Sequence, residues 1–418
     1  MKKSLILSAI LTASLLVGCN TSGESPSNGS GEGSNDGVKT IEFFQVKSEA
    51  VQTFNQLIEK FEDDNPTINI EQNTVPDGMT VLKTRFSTGD IPDIFITYPV
   101  EADYVLRANN DYLLDVTDEP FIDKVNGEIQ DRYIENDRMY GVALSLNANG
   151  VLYNKAIFEE HGIDIPQTWD EFMAVNEALE AAGQTPVIMG NQDLGQTSIF
   201  NLNFVAQQFD PDYWESLNAG NETIVGDPRW EEAAQKMLDV LQFAQRDHMG
   251  TDYDQGNAMF ANGEGAMYFM GAWVLPTLRD MNPNFDEEFG YFTFPQTNNP
   301  DENVTISGVD VGLSIAADTD YPEEALKFVE FLVDEAQTFA DLDGSFSAVE
   351  GVEIKDPVLQ GLLPHIEEGK VANWPNHYWA GGTAVEADFR SHSQNFFSHQ
   401  NIEQYLQDLD SMFASYRQ

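Results

Sequence analysis

Apolar and polar positions in the first hundred residues alternate between strand-like and helical spacing. Ile41 to Val46 is a short, mostly apolar segment that predicts a strand. Apolar residues then recur every three or four positions until Asn65-Pro66, where the predicted helix ends. A strand over 68–75, a short helix over 81–86 and a strand over 94–98 follow. The order βαβαβ predicts a parallel sheet with helices on both faces.

Later segments are strand-like or helical in turn. The strand-like segments are 140–144, 151–154, 266–270 and 305–316. Thr168 and Glu171 have the spacing of a capping box that begins a helix. Asp227-Pro228 begins another helix, since proline is favourable at the first helical position. The pattern as a whole predicts an α/β protein.

Length and charge narrow the possibilities. A chain of 418 residues exceeds what one hydrophobic core usually organises, so two lobes are expected. The 21 basic and 70 acidic residues give a formal net charge of −49. A surface of this charge repels nucleic acid, anionic lipid and phosphorylated ligands, so we expect no nucleic acid partner and an uncharged ligand.

The N-terminus has the pattern of a secreted lipoprotein. Two lysines precede an apolar run, Leu5 to Val17, that is too short to span a membrane comfortably. The sequence Leu16-Val-Gly-Cys19 resembles a lipobox, which implies a signal peptide over 1–18 and a lipidated Cys19 that carries a diacylglyceryl group and acyl chains such as palmitate. An ordinary signal peptide with a free thiol is the alternative. Residues 19–37 then supply the lipidated cysteine and a flexible linker, and the protein is expected on the extracellular face of the cell membrane.

The segment 260–273 carries the strongest indication of function. Gly263 and Gly265 end a predicted helix, 266–270 predicts a short buried strand, and Gly271 breaks it. Trp273 therefore falls at a strand-to-helix junction, where side chains at the carboxyl end of a sheet face a crevice. A flat indole in that position can stack on the apolar face of a sugar.

This segment is similar to the F-x-x-G-x-A-A-M and G-x-W signature of the family 1 extracellular solute-binding proteins, the sugar receptors of ABC importers. Six other segments follow the family's order: Phe61-Glu-Asp-Asp-Asn-Pro66, Gly89-Asp-Ile-Pro-Asp93, Tyr140-Gly141, Leu152-Tyr-Asn-Lys155, Pro166-Gln-Thr-Trp-Asp-Glu-Phe172 and Ala325-Leu-Lys-Phe-Val-Glu-Phe331. Each is weak alone, but seven segments in one order make the resemblance specific.

The resemblance implies a periplasmic-binding-protein-like fold of type II. Its two lobes each have a mainly parallel sheet flanked by helices, and a hinge of several segments joins them. The N-terminal lobe would comprise 38–147 and 308–346, and the C-terminal lobe 151–304 and 350–418. The implied protein is a monomeric receptor without enzymatic activity. It would bind a neutral mono- or oligosaccharide between the lobes and deliver it to permease subunits with their ATPase.

Two residues are the first candidates for ligand contact. Trp273 would stack on a sugar ring, and the alternative is a tryptophan buried in the core. Asp310 lies in Ser307-Gly-Val-Asp-Val-Gly312, where the family often places a polar residue in the cleft. Its carboxylate can accept two hydrogen bonds from neighbouring hydroxyls, and the alternative is a turn-forming aspartate.

Four further candidates follow the predicted strands of the first lobe. Gln45, Lys47 and Glu49 come after the first strand, and Tyr98 ends the third. In a doubly wound sheet these positions lie at the edge that faces the ligand. We expect one or two of the first three residues to reach it.

The remaining candidates lie near the predicted crossover and in an aromatic segment. Asn147 and Asn149 flank the crossover, as ligand contacts or, by our preference, as hinge turns. Trp374 and Trp379 lie in a segment rich in aromatic residues, which predicts either a second stacking wall for a longer saccharide or a hydrophobic patch.

Other chemistries find little support in the sequence. The six histidines lack the spacing of a zinc site and no nucleotide-binding or nucleophile motif is present, so neither a metal nor a cofactor is expected. A surface glycoside hydrolase is an alternative because carboxylates and aromatic residues abound, but it needs two carboxyl groups that flank one glycosidic bond. The same fold with a solute other than a sugar is a further alternative.

Overall fold

The computed structural model describes residues 37–99 and 101–417. Within these residues the strands are β1 (Lys39–Phe44), β2 (Ile68–Asn73), β3 (Ile94–Ile96), β4 (Ile134–Glu135), β5 (Arg138–Met139), β6 (Val142–Asn154), β7 (Val187–Ile188), β8 (Met267–Gly271), β9 (Phe289–Phe292), β10 (Thr305–Ile315), β11 (Phe346–Ser347) and β12 (Val371–Ala372). In this part of the chain no helix has the length and apolar character needed to cross a membrane.

The helices flank the strands throughout. They are α1 (Val51–Asp64), α2 (Gly78–Thr88), α3 (Ala102–Asn109), α4 (Gly127–Gln130), α5 (Lys155–His161), α6 (Trp169–Ala181), α7 (Leu194–Gln208), α8 (Pro211–Asn218), α9 (Pro228–Leu241), α10 (Tyr253–Ala261), α11 (Leu275–Met281), α12 (Phe285–Glu288), α13 (Pro322–Asp334), α14 (Ala336–Asp343), α15 (Leu363–Glu367), α16 (Thr383–His399) and α17 (Ile402–Tyr416). The α/β class predicted from the sequence is confirmed.

One mixed sheet organises the molecule. Its strand order is β2-β1-β3-β10-β6-β8-β7, and β9 and β11 also pair with β6, while β12 pairs with β10. The strands β2, β1 and β3 are parallel, as are β7 and β8, but β10 and β6 are antiparallel to their neighbours in the central order. The two parallel groups are thus parts of one sheet, because β10 pairs with β3, β6 pairs with β8, and these two long strands pair with each other.

The strand β6 differs from the sequence prediction of two strands with a crossover between them. It is continuous over 13 residues, and Asn147 and Asn149 lie in its interior. They pair with Gly308 and Ile306 of β10. The predicted turns at these asparagines are therefore wrong, and a hinge at this part of β6 stays a prediction. A backbone buried this deeply must pair its polar groups, and the neighbouring strands provide the partners.

Two hydrophobic clusters pack around this sheet. The first core contains Phe43, Phe54 and Phe328, whose rings meet edge to face. The second core contains Phe172, Trp214, Trp230 and Phe397 among others. The central strands contribute to both, since Leu152 packs in the first core and Val151 in the second.

The predicted helix caps are confirmed. The Thr168 hydroxyl accepts a hydrogen bond from the Glu171 amide at 3.3 Å, and the Glu171 carboxylate accepts one from the Thr168 amide at 3.2 Å. Pro228 begins α9, and the Asp227 carboxylate accepts a hydrogen bond from the Arg229 amide. These local signals fix helix starts independently of the tertiary contacts.

Candidate ligand-binding cavity

A cavity of about 940 Å³ lies where segments of the two cores meet. Residues after β1 and β3 line one side, and α7, α16 and the segment after β12 line the other. The middle of β6 and β10 lies between these sides. The segments β1, β3 and α2 pack on the first core, whereas α7 and α16 pack on the second.

Two tryptophans form an aromatic corner of the cavity. The ring centroids of Trp273 and Trp374 are 5.9 Å apart, and the ring planes are inclined by 51°. Trp273 packs against both cores. The Trp374 Nε1 donates a hydrogen bond to the Asn147 Oδ1 at 2.7 Å, which fixes the indole and satisfies its one polar atom.

Two glycines make room for these rings. A Cβ atom on Gly271 would lie 1.8 Å from the Trp273 ring, and one on Gly308 would lie 2.8 Å from the Trp374 Cδ1. Side chains other than hydrogen are therefore excluded unless the indoles move. The glycine of the G-x-W pattern thus has a steric reason in this chain.

A buried ionic cluster lies beside the tryptophans. The Lys47 ammonium donates a hydrogen bond to the Asp310 Oδ2, and its Nζ lies 3.9 Å from the Glu49 Oε1. Burial lowers the pKa of Lys47, but the surrounding carboxylates of Asp310, Asp343 and Glu49 outweigh that effect and raise it. Lys47 therefore stays protonated and neutralises part of the acidic charge.

Asp310 lies at an irregularity of β10 that turns its side chain toward this cluster. The pairing of β10 with β6 shifts register between Val309 and Val311. Such bulges re-aim side chains next to functional sites. The Asp310 Oδ2 accepts the hydrogen bond from Lys47, and no side chain or amide among the described residues donates a hydrogen bond to the Oδ1.

The far wall combines an aromatic stack with two titratable groups. The rings of Tyr98 and His377 are stacked, with centroids 6.1 Å apart and planes inclined by 29°. The His377 Nε2 lies 3.8 Å from the Glu101 Oε1. Burial raises the pKa of Tyr98, so its hydroxyl remains a neutral donor and acceptor.

The structure brings seven of the nine predicted contact residues to this cavity. They are Lys47, Glu49, Tyr98, Asn147, Trp273, Asp310 and Trp374. Cys19, the predicted lipidation site, lies outside the described residues.

Gln45 and Trp379 are not at the cavity surface. The Gln45 amide donates hydrogen bonds to Gln72 and Thr74, and its Oε1 accepts one from the Lys47 amide. These contacts hold the end of β1, so Gln45 supports Lys47 rather than facing the cavity. Trp379 is fully buried against Phe389 and Phe413. The sequence predicted either a stacking wall or a hydrophobic patch for the aromatic segment. Trp374 lies in the cavity wall, whereas Trp379 lies in a hydrophobic patch.

Sequence reasoning missed several residues of the cavity. Glu101, His377, Glu386 and Arg390 all line it. No motif marks them, and Glu101 lies 276 positions from His377 along the chain. The aromatic segment 374–379 was the one signal that pointed to this wall.

In residues 37–99 and 101–417, no group of three or more His, Cys, Asp and Glu side chains is arranged to hold a metal ion.

Comparison with known proteins identifies the family. The model of the bacterial extracellular solute-binding proteins matches residues 47–339. The chain belongs to this family. This solute-binding protein is 32% identical to the multiple sugar-binding protein of Streptococcus mutans, over 96% of this chain and 95% of that protein.

Solved structures resemble this solute-binding protein over most of its length. RafE in complex with raffinose is 28% identical, with a TM-score of 0.83 over 91% of this chain and 100% of that one. The apo-form of RafE from Streptococcus pneumoniae is 29% identical, with a TM-score of 0.76 over 91% of this chain and 98% of that one. The chain thus superposes better on the complex than on the apo-form.

Proposed function

We propose that this solute-binding protein is the extracellular receptor of an ABC importer and that it captures a neutral oligosaccharide in the cavity. The observation that carries the proposal is the corner of Trp273 and Trp374 beside the free Oδ1 of Asp310. Indole faces cover the C–H faces of a sugar, and the carboxylate oxygen accepts a hydrogen bond from a hydroxyl. The similarity to the multiple sugar-binding protein of Streptococcus mutans, which extends over 96% of this chain, supports the same function.

The size of the cavity favours an oligosaccharide over a monosaccharide. Its volume of about 940 Å³ lies near the upper end for small-molecule sites, which hold roughly 300–1,000 Å³. A single hexose would leave most of the lining in contact with water. Several linked sugar units would cover both the tryptophan corner and the far wall.

The charges of the cavity favour an uncharged ligand. The Lys47 ammonium is paired with Asp310, and the Arg390 guanidinium donates a hydrogen bond to Glu386. Carboxylates of Asp77 and Asp193 also line the cavity. An acidic saccharide would meet excess negative charge without an unpaired cation to offset it.

The proposed mechanism is closure of two lobes around the sugar. The proposed lobes are 38–147 with 308–346 and 151–304 with 350–418. The long strands β6 and β10 lie where the proposed lobes meet. The higher similarity to the raffinose complex of RafE supports a closed arrangement. Closure would present a surface that permease subunits with their ATPase recognise.

The proposed location is the extracellular face of the cell membrane, with Cys19 as the lipid anchor. The lipobox Leu16-Val-Gly-Cys19 supports this proposal. Labelling cells with a radioactive or alkyne-bearing fatty acid would label the wild type and leave the Cys19→Ala variant unlabelled. Label on the variant would contradict the anchor.

Calorimetric titration of residues 38–418 with raffinose, stachyose, maltotriose and xylo- and chito-oligosaccharides tests the function. We expect saturable binding of at least one of them, and no binding of galacturonic acid oligomers. Absence of saturable binding across this panel would refute the proposal. Release of reducing ends from a bound oligosaccharide would instead indicate a glycoside hydrolase.

A further inference from the structure

Glu101 and His377 lie side by side in the far wall of the cavity, on segments that pack on different cores. Glu101 precedes α3, whose Tyr104 is buried in the first core. His377 follows Trp374 of the second core. The 3.8 Å between the His377 Nε2 and the Glu101 Oε1 exceeds a hydrogen bond, so the two groups do not satisfy each other.

Both side chains are largely buried and lack partners. His377 is 8% exposed, and the Glu101 side chain is 15% exposed. Among the described residues, neither side chain takes part in a hydrogen bond, and both line the cavity. The Oδ1 of the adjacent Asn376 is fully buried without a hydrogen-bond partner. Buried polar groups are normally paired, so this wall suits a ligand that carries hydroxyls.

The pair is uncharged over a wide range of pH. Burial raises the pKa of Glu101 to about 8, assisted by the carboxylates of Glu386 and Asp103 and opposed by Arg107 and Arg390. Burial lowers the pKa of His377 to about 4, assisted by Arg132. Between these values a carboxylic acid faces a neutral imidazole. The neutral phenol of Tyr98 stacks on that imidazole.

We propose that Glu101 and His377 are specificity-determining residues that together bind one hydroxyl-bearing edge of a sugar unit at the far wall of the cavity. The protonated carboxyl group donates a hydrogen bond to one hydroxyl oxygen of that unit, and the imidazole accepts or donates at the same hydroxyl or its neighbour. A substituent that removes or ionises this hydroxyl leaves buried polar groups unpaired and is rejected.

Neighbouring contacts keep the two sides at this separation. The Thr383 hydroxyl at the start of α16 donates a hydrogen bond to the Asp103 Oδ2 at 3.3 Å. The Lys83 Nζ lies 3.2 Å from the Asp103 Oδ1 and donates to Thr383 at 3.3 Å. The pair therefore lies beside contacts that already join the two sides, where a hydroxyl can reach both groups.

This inference rests on the proposed function, and its test begins with the sugar of the panel that binds the wild type most tightly. Its dissociation constant is measured from pH 5.5 to 9.5 for the wild type, Glu101→Gln and His377→Ala. Because ionised Glu101 cannot donate, the wild-type constant should rise roughly tenfold between pH 7 and pH 9. Glu101→Gln keeps a donor and should show no such rise. His377→Ala should weaken binding roughly ten- to hundred-fold at pH 7, and His377→Gln should restore part of the loss.

Two matched variants serve as controls. Glu353 is exposed, and His392 lies on α16 but does not line the cavity. Glu353→Gln and His392→Ala should keep the wild-type constant and pH profile. Circular dichroism checks that each variant is folded.

Two results would overturn the inference while the proposed function stands. They are a Glu101→Gln profile equal to that of the wild type, and a His377→Ala constant within twofold of the wild type. If no sugar of the panel binds the wild type, the proposed function fails and this inference fails with it.

Discussion

Asp343 shows how much a single buried group depends on its surroundings. The residue is 1% exposed and its Oδ2 has no hydrogen-bond partner among the described residues. Burial raises the pKa of Asp343 to about 6, although the Lys47 charge pulls it down. No sequence pattern predicted a buried carboxylate here, because an aspartate at a helix end is ordinarily exposed.

We expect Asp343→Asn to stabilise the protein at alkaline pH and not at acidic pH. The folded pKa lies above the ordinary value of 3.8, so the contribution of Asp343 to stability is present below pH 4 and is lost as pH rises through about 6. The variant should gain on the order of 2–3 kcal/mol of unfolding free energy at pH 8 and little at pH 4. Thermal unfolding at both pH values measures the difference.

Asp318→Asn is the control for this substitution, because Asp318 is exposed. It should leave the melting temperature unchanged at both pH values. If Asp343→Asn lowers the melting temperature equally at pH 4 and pH 8, the carboxylate is a favourable partner of Lys47 and the prediction is wrong.

Trp273 is the residue for which the sequence was most informative. Its place after a strand and before a helix was predicted, and the structure puts it in a 3-10 helix between β8 and α11. We expect Trp273→Ala to weaken sugar binding by about 2 kcal/mol, near thirtyfold, because a large stacking surface is lost. Trp273→Phe should retain part of the stacking surface and therefore lose less affinity than Trp273→Ala. Calorimetry measures both constants.

Trp169→Phe is the matched control for Trp273. Trp169 packs against Phe172 and Phe294 of the second core and does not line the cavity. Its substitution should leave the affinity unchanged. Equal affinities for Trp273→Ala and wild type would show that the indole does not touch the ligand.

At the scale of elements, local signals predicted more than tertiary ones. The capping box and Asp227-Pro228 fixed the starts of α6 and α9, because caps act within one turn. The strand β6 was mispredicted because Asn147 and Asn149 resemble turn residues. Asn147 is polar in a buried strand because its Oδ1 accepts a hydrogen bond from the Trp374 indole, and local rules commonly fail at functional sites.

Gly308→Ala tests whether β10 positions the aromatic corner. The added methyl group would lie 2.8 Å from the Trp374 Cδ1 and 2.9 Å from the Asn373 Oδ1, so the segment after β12 must shift. We expect a loss of sugar affinity of roughly tenfold in a titration, because a small misplacement of a contact residue is costly. Gly127→Ala, where a Cβ meets no atom within 4 Å, should bind like the wild type. An unchanged affinity for Gly308→Ala would mean that Trp374 is not a contact.

At the scale of the whole molecule, the two cores could be predicted but their juncture could not. Length and the order of family segments indicated two lobes with a cleft. The contact of Lys83 and Asp103 with Thr383 joins α2 and α3 to α16, and no pattern links residues 300 positions apart. Only the topology of the sheet brings them together.

We expect Lys83→Met to release bound sugar about two- to five-fold faster than the wild type. The substitution removes the hydrogen bond from Lys83 to Thr383 of α16 and the ion pair with Asp103, which itself accepts a hydrogen bond from Thr383. Partly exposed pairs of this kind contribute up to about 1 kcal/mol. Stopped-flow dissociation measures the rate, and added salt should reduce the difference. Lys60→Met removes a comparable pair with Glu335 that lies away from the cavity, and it should not alter the rate. A Lys83→Met rate equal to wild type would exclude a role in holding the closed form.

The position of β10 in the sheet has a consequence for biogenesis. This strand lies between β3 and β6, yet it comes from residues 305–315, late in the chain. A nascent or translocating polypeptide must therefore expose the edges of β3 and β6 until most of its length has emerged. Such distant pairing slows folding and leaves aggregation-prone edges open, so export of this protein should depend on a chaperone that shields them.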